Sequence, residues 1–142
     1  MNSSKNINSK SIGLDFGLSI GRFFLNTEDL HYGYWPKDQT ASIQNFVEAQ
    51  NQHSQLIIDN IPRTTKSILD VGSGSGSLAL KLLNLDYNVD CVIPSQFLAE
   101  QVKSKLSDQS TIHQCTFENV SETKKYDLIL FSESFQYVKI KE

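Results

Sequence analysis

The chain has 142 residues, with 13 Lys plus Arg against 16 Asp plus Glu and a net charge of −3. That size fits one domain with one core, and the charge lacks the basic surplus of a protein that binds duplex nucleic acid. The longest apolar runs fall far short of the roughly 20 residues a membrane span needs, and "MNSSKNINSK" has no apolar signal core.

Residues 1–11 are rich in Ser, Asn and Lys and cannot bury enough apolar area to offset ordering entropy, which predicts a mobile tail. Residues 12–62 read as an N-terminal helical cap. Its first half, "GLDFGLSIGRFFLNTEDLHYGYWP", interrupts a dense aromatic set with glycines and holds no single period, so short helix and loop are expected, with Phe23, Phe24 and Leu25 as packing residues. From Thr40, read as an N-cap, the residues Ile43, Phe46, Val47, Gln50, Ser54, Ile57, Ile58 and Ile61 form one stripe at helical spacing, ended by Pro62. His53 is expected on the exposed side of that helix.

Residues 63–142 alternate strand-like with helix-like runs. "SILDV", "NVDCVI", "TIHQCTF" and "YDLILFS" read as strands one to four. "SLALKLLNL" reads as the first intervening helix, and "SQFLAEQVKSKL" as the second, with Phe97, Leu98, Val102 and Leu106 inward. The fold class is α/β, a parallel sheet with helices on its faces. Between strands three and four, "ENVSETKKY" is too short and polar for a full helix, and Lys124 and Lys125 read as solvated loop. Cys91 and Cys115 sit in strand-like segments with no CxxC or Cys/His cluster nearby. They read as buried free thiols, no metal is assigned, and the cytoplasm is the expected location.

Chemistry concentrates in "SILDVGSGSGSLAL", residues 67–80. Gly72, Gly74 and Gly76 fall where the first strand turns into the first helix, the edge of an open α/β sheet at which ligands bind. A dinucleotide fold carries its third glycine five residues after the first, where this chain has Ser77. Asp70, two residues before Gly72, would repel a pyrophosphate, and no Gly-Lys-Ser/Thr follows for a phosphate loop. A cationic, phosphate-free ligand suits the pattern better.

"LDVGSGSG" resembles the D/E-x-G-x-G-x-G motif of class I S-adenosylmethionine-dependent methyltransferases. "HYGYWP" at 31–36 is similar to the N-terminal aromatic segment of the small-molecule members, and "YDLILFSESFQYV" at 126–138 to their fourth-strand motif. The resemblance implies a Rossmann-like class I methyltransferase sheet of seven strands, of which this chain supplies only strands one to four. It also implies S-adenosylmethionine as cofactor, S-adenosylhomocysteine as product and a small-molecule acceptor, without nucleic acid or membrane. By that resemblance the cofactor meets Asp70, Gly72, Ser73, Gly74 and Gly76, and the aromatic segment closes over it with Tyr32, Tyr34 and Trp35. The strand-two acid that commonly holds the ribose is replaced by Ile93, Asp90 lying three residues too early, so Ser95 or Gln96 is expected to substitute. Phe117 and Glu118 are expected at the adenine, Ser132 at the edge of strand four beside Glu133, and His31 is the one candidate base.

Two other readings stand beside transfer of a methyl to an O, N or C nucleophile: a cofactor-binding pseudoenzyme fragment, and a nicotinamide-dependent Rossmann enzyme. A fourth strand with Leu128, Ile129, Leu130 and Phe131 in a row reads as a strand covered on both faces and paired on both sides, so the chain is expected to be part of a longer methyltransferase.

Overall fold

The computed structural model describes residues 9–121 and 123–139, with side chains from Ile12 onward. The first eight positions of the expected tail lie outside the described residues. From Ser9 the chain is helical, forming α1 (Ser9–Ile20), which widens into a π-turn over Gly21–Leu25 and stops at Asn26 in the left-handed region, φ 52°. Phe23 and Phe24 stack edge to face but stand exposed, so they pack on each other rather than on the core.

The second helix begins later than its stripe suggests. Thr40 is not its cap. Asn45 accepts hydrogen bonds from the Ser42 N–H and hydroxyl at 3.0 and 2.8 Å and donates to the Thr40 carbonyl at 3.0 Å, closing a short 3-10 turn over Ile43–Asn45. The helix α2 (Phe46–Asp59) follows and buries Ala49, Gln50 and Ser54, while Ile43, expected on the apolar stripe, is 74% exposed because it precedes the helix proper.

Four strands form one parallel sheet in the order β3-β2-β1-β4, with β1 (Ser67–Val71), β2 (Asn88–Val92), β3 (Ile112–His113) and β4 (Leu128–Leu130). α3 (Ser77–Leu83) joins β1 to β2, and α4 (Gln96–Leu106) joins β2 to β3. Asp70 of β1 lies opposite Cys91 of β2 and Leu130 of β4. At the other end of the sheet the Asp127 carboxylate accepts from the N–H groups of Lys66 and Ser67 at 3.0 and 2.9 Å, fixing the register of β4 on β1.

The main core joins Ile68, Val89, Cys91 and Ile93 of the sheet side with Ala79 and Leu82 of α3 and Leu98, Val102 and Leu106 of α4. Each such fully buried aliphatic side chain contributes roughly 1.5–3 kcal/mol. Leu14 and Leu18 of α1 and Ile58 and Ile61 at the end of α2 complete the same cluster. The opposite face carries Leu69, Val71 and Val92 beneath Cys115, Phe117, Val120, Tyr126 and Phe131. Among the described residues that face is covered by loop rather than helix, because the polar connection between β3 and β4 supplies none.

Several local expectations shift for physical reasons. The third strand ends at His113, so Cys115 lies past it and is only half-buried, and Phe117 belongs to a 3-10 turn, Phe117–Asn119. Lys124 is not a free solvated charge: it reaches Asp90 at 2.6 Å, where Tyr126 also donates at 2.7 Å and the Thr111 N–H at 3.1 Å. Burial pushes the Asp90 carboxyl up, but those donors outweigh it and hold it below its ordinary value. Ile129 is 47% exposed, so the apolar row of β4 is not covered on both faces among the described residues.

Candidate functional site

The strand order reverses between β1, which is followed through α3 by its neighbour β2, and β4 on its other side. A crevice opens at such a switch point outside the carboxyl ends of the strands, and the glycine turn lies there. Ser73 donates to the Asp70 carbonyl at 2.7 Å, the Gly76 N–H to the Ser73 carbonyl at 2.8 Å, and the Gly72 N–H to the Val92 carbonyl at 2.8 Å. Gly76 packs on α4: a Cβ there would sit 2.9 Å from Val102. Gly74 differs, because with φ +55° its Cβ would meet only Leu30, at 3.7 Å. The backbone at Gly74 therefore borders open space, as a cradle for a ligand does.

Beneath the turn, the Asp70 side chain is 1% exposed and its Oδ2 has no hydrogen-bond partner among the described residues. Burial pushes its carboxyl up to about 7. A buried acid with an unused acceptor is an incomplete pair, and a cationic or hydrogen-bond-donating ligand completes it. Cys91 opposite is driven up to about 12 by burial, and next by the Asp70 charge, which leaves it an inert thiol.

The segment from Thr27 to Trp35 is docked on α2. Gln50 is buried and fully used: it accepts from the Thr27 hydroxyl at 2.6 Å and donates to the carbonyls of Asp29 at 3.0 Å and His31 at 2.8 Å. The Tyr34 N–H donates to the Ala49 carbonyl at 2.8 Å. Lys105 of α4 ties this segment to the turn, donating to the Ser75 carbonyl at 2.7 Å while pairing with Glu28. The hydrogen bond from Lys105 chiefly holds the Glu28 carboxyl below its ordinary value.

Of the residues expected from sequence, Asp70, Gly72, Ser73, Gly74 and Gly76 share this turn, and His31 follows Leu30, the residue that a Cβ at Gly74 would meet. Tyr32 and Tyr34 stand 81% and 47% exposed, Tyr32 lining a shallow apolar depression with Leu25, Trp35, Ile43 and Phe46. Ser95 caps α4 by accepting from the Leu98 N–H at 3.4 Å, and Gln96 pairs with Glu100 at the surface. Phe117 packs on Phe131 with ring centres 5.2 Å apart. Glu118 accepts from the Lys139 N–H, which chiefly lowers its carboxyl. Ser132 is half-buried past β4.

The structure adds residues that the sequence reading passed over. Ser134 packs against Gly72 and donates to the Val71 carbonyl. His53 is not on the exposed side of α2: its ring stacks on His31 with centres 4.3 Å apart, and Nε2 lies 3.7 Å from Glu133. The spacing held the signal, since His53 lies three residues after Gln50 and four before Ile57, on the stripe itself.

A family model described as a methyltransferase domain matches residues 69–142, slightly more than half of the chain. The chain belongs to the S-adenosylmethionine-dependent methyltransferase family. The ribosomal RNA small subunit methyltransferase A of Campylobacter fetus subsp. fetus is 44% identical over 48 residues, 34% of this chain and 18% of that protein. A putative sarcosine dimethylglycine methyltransferase from Galdieria sulphuraria superposes with a TM-score of 0.63 at 21% identity, covering 86% of this chain and 48% of that one. Coclaurine N-methyltransferase bound to N-methylheliamine and S-adenosylhomocysteine gives 0.62 at 18%, over 89% and 43%. The [4+2]-cyclase SpnF gives 0.58 at 18%, over 82% and 47%. This methyltransferase-family chain spans less than half the length of each of those solved structures, and they establish its fold: part of a Rossmann-like sheet. Among the described residues no helix is long and apolar enough to cross a membrane, and no cluster of three His, Cys, Asp or Glu could hold a metal.

Two observations fit S-adenosylmethionine, the cofactor of the family, to these residues: the open backbone at Gly74 and the buried Asp70 Oδ2, which has no hydrogen-bond partner among the described residues. The acid, rather than the open backbone, is what suits the pyrophosphate of a nicotinamide dinucleotide poorly.

Proposed function

We propose that this protein, in the cytoplasm, transfers a methyl group from S-adenosylmethionine to a small-molecule acceptor. The observation that carries the reading is the pairing of an open glycine turn with a buried acid at the sheet's switch point, one oxygen of which has no hydrogen-bond partner among the described residues. Bound there, S-adenosylmethionine supplies a methyl on a sulfonium already primed to leave. The chain's own task is then to hold, align and exclude water. Gly74 lets the backbone lie against the ligand, Asp70 receives a cationic or donor group, and the segment from Thr27 to Trp35, docked on α2, walls the opening. Ser95, Gln96, Phe117, Glu118, Ser132, Tyr32 and Tyr34 keep their expected places around ribose, adenine and methyl as part of this reading.

The matched stretch of a ribosomal RNA methyltransferase favours a second acceptor class, whereas a net charge of −3 gives no electrostatic footprint for RNA. Incubation with S-adenosylmethionine labelled on its methyl separates the readings. Label in small amines, phenols or acids supports the proposal; label only in ribosomal RNA overturns the acceptor class; cofactor binding without label in any acceptor by the longer methyltransferase of which the chain is read as a part leaves a pseudoenzyme and overturns transfer.

A further inference from the structure

The glycine turn does not specify its own shape. Gly72, Gly74 and Gly76 all take positive φ, at 76°, 55° and 75°, and residues without a Cβ leave the chain many other conformations. Contacts from outside the turn therefore hold it open. Ser134 does so at Gly72 and Val71. We propose that Lys105 is a positioning residue for the cofactor: through the Ser75 carbonyl it sets the turn, and Glu28 keeps it there while offsetting its charge against a cationic ligand. The proposal rests on the cofactor reading above and deepens it.

Within the turn, near neighbours hold the carbonyls of Asp70 and Ser73. The Ser75 carbonyl is held from 30 positions away, by the Lys105 ammonium at 2.7 Å. Ser75 is buried, so a carbonyl released there is poorly placed to find water instead. Fixing that carbonyl fixes the peptide plane between Ser75 and Gly76, next to the open backbone at Gly74. Packing delivers Lys105 to this place. Val102, one helical step earlier on the same face of α4, lies against Gly76, where a Cβ would come within 2.9 Å of it.

A lysine side chain has rotamer freedom that opposes a single placement. Glu28 removes that freedom. One carboxylate oxygen takes Lys105 and the other takes the Arg22 Nε at 2.8 Å, while Arg22 continues to Gln101 of α4 at 2.6 Å. Glu28 is itself anchored, because it follows Thr27, whose hydroxyl donates to the buried Gln50. The Lys105 hydrogen bond chiefly holds the Glu28 carboxyl below its ordinary value, which favours the ionised form the pairing needs.

Charge gives the arrangement its selectivity. S-adenosylmethionine carries one more positive charge than S-adenosylhomocysteine, on its sulfonium. An ammonium beside the turn disfavours that extra charge, and only 19% of the Lys105 side chain is exposed to screening water. Glu28 offsets it. Replacing Lys105 by a neutral residue lowers the local charge by one, and replacing Glu28 by a neutral residue raises it by one. The ratio of affinities for the two ligands therefore moves in opposite directions in the two variants, whereas loss of shape alone weakens both ligands together.

The test is calorimetry with both ligands on the full 142-residue chain, native and substituted. Lys105→Met keeps an apolar stem of similar length and is expected to bind S-adenosylhomocysteine about tenfold more weakly with unchanged circular dichroism. Lys105→Arg, which can donate to carbonyl and carboxylate at once, is expected to stay within about threefold of native. The affinity for S-adenosylmethionine relative to S-adenosylhomocysteine is expected to rise about threefold in Lys105→Met and to fall about threefold in Glu28→Gln, both changes shrinking at high salt. Unaltered affinity for S-adenosylhomocysteine in a folded Lys105→Met variant, or a ratio that moves the same way in both variants, overturns the proposal. If Lys105→Met does not fold, Glu28→Gln decides: an unchanged ratio there overturns the proposal, and a lowered one supports it. Failure of the native chain to bind either ligand overturns the cofactor reading and this inference with it.

Discussion

Asp70 is the residue on which folding and ligand binding pull in opposite directions. Its carboxyl is buried, lacks a partner on Oδ2 among the described residues and is raised to about 7. A carboxyl whose folded value lies above its unfolded one stabilises the fold fully below the unfolded value of 3.8, and that contribution is lost as pH rises through about 7. Asp70→Asn removes the charge at nearly constant volume. Unfolding free energies from urea titration should therefore fall from pH 5 to pH 8 for the native chain relative to the variant, by on the order of 3 kcal/mol at most. Parallel pH dependence of the two chains contradicts this. The acid and its glycines were legible because all lie within seven positions of one another. What surrounds them was not: Ser134 reaches Val71 across 63 positions, and no local pattern encodes that contact.

At the scale of elements, the docking of the aromatic segment on α2 passes through one amide. Gln50 satisfies the Thr27 hydroxyl and the Asp29 and His31 carbonyls at once. Replacing it with Leu strands those groups in a buried place, at a cost of roughly 1–3 kcal/mol each when no water enters. Gln50→Leu is expected to lower the thermal midpoint and to make the chain near Tyr32 far more sensitive to protease, whereas Gln55→Leu on the exposed side leaves both unchanged. Equal protease sensitivity in the two variants contradicts the role given to Gln50. The existence of α2 could be read from its stripe, but its start could not, because the Asn45 side chain that organises residues 40–45 imitates a cap one turn away from Thr40. His53 was misplaced by treating a polar residue as an outward one; the spacing from Gln50 and Ile57 had already put it inward.

Across the whole molecule, a parallel sheet with order β3-β2-β1-β4 follows from the alternation of short apolar runs and helices, and that order brings the turn after β1 to the switch point. The covering of the second face by loop was harder to read, since it depends on Phe117, Tyr126 and Phe131 meeting Leu69 and Val92 through long-range packing. A fold shared by methyltransferases and a cyclase does not name a reaction, so the central claim rests on the cofactor and its turn. The direct measurement is a calorimetric titration of the native chain and a Gly74→Asn variant with S-adenosylhomocysteine and with NAD. Asn tolerates the left-handed backbone at that position and carries side-chain atoms into the space beside Leu30, where glycine leaves room. The account predicts saturable binding of S-adenosylhomocysteine by the native chain, no binding of NAD, and at least tenfold weaker binding by a variant whose circular dichroism is unchanged; unaltered affinity in a folded Gly74→Asn variant, or binding of NAD instead, contradicts it.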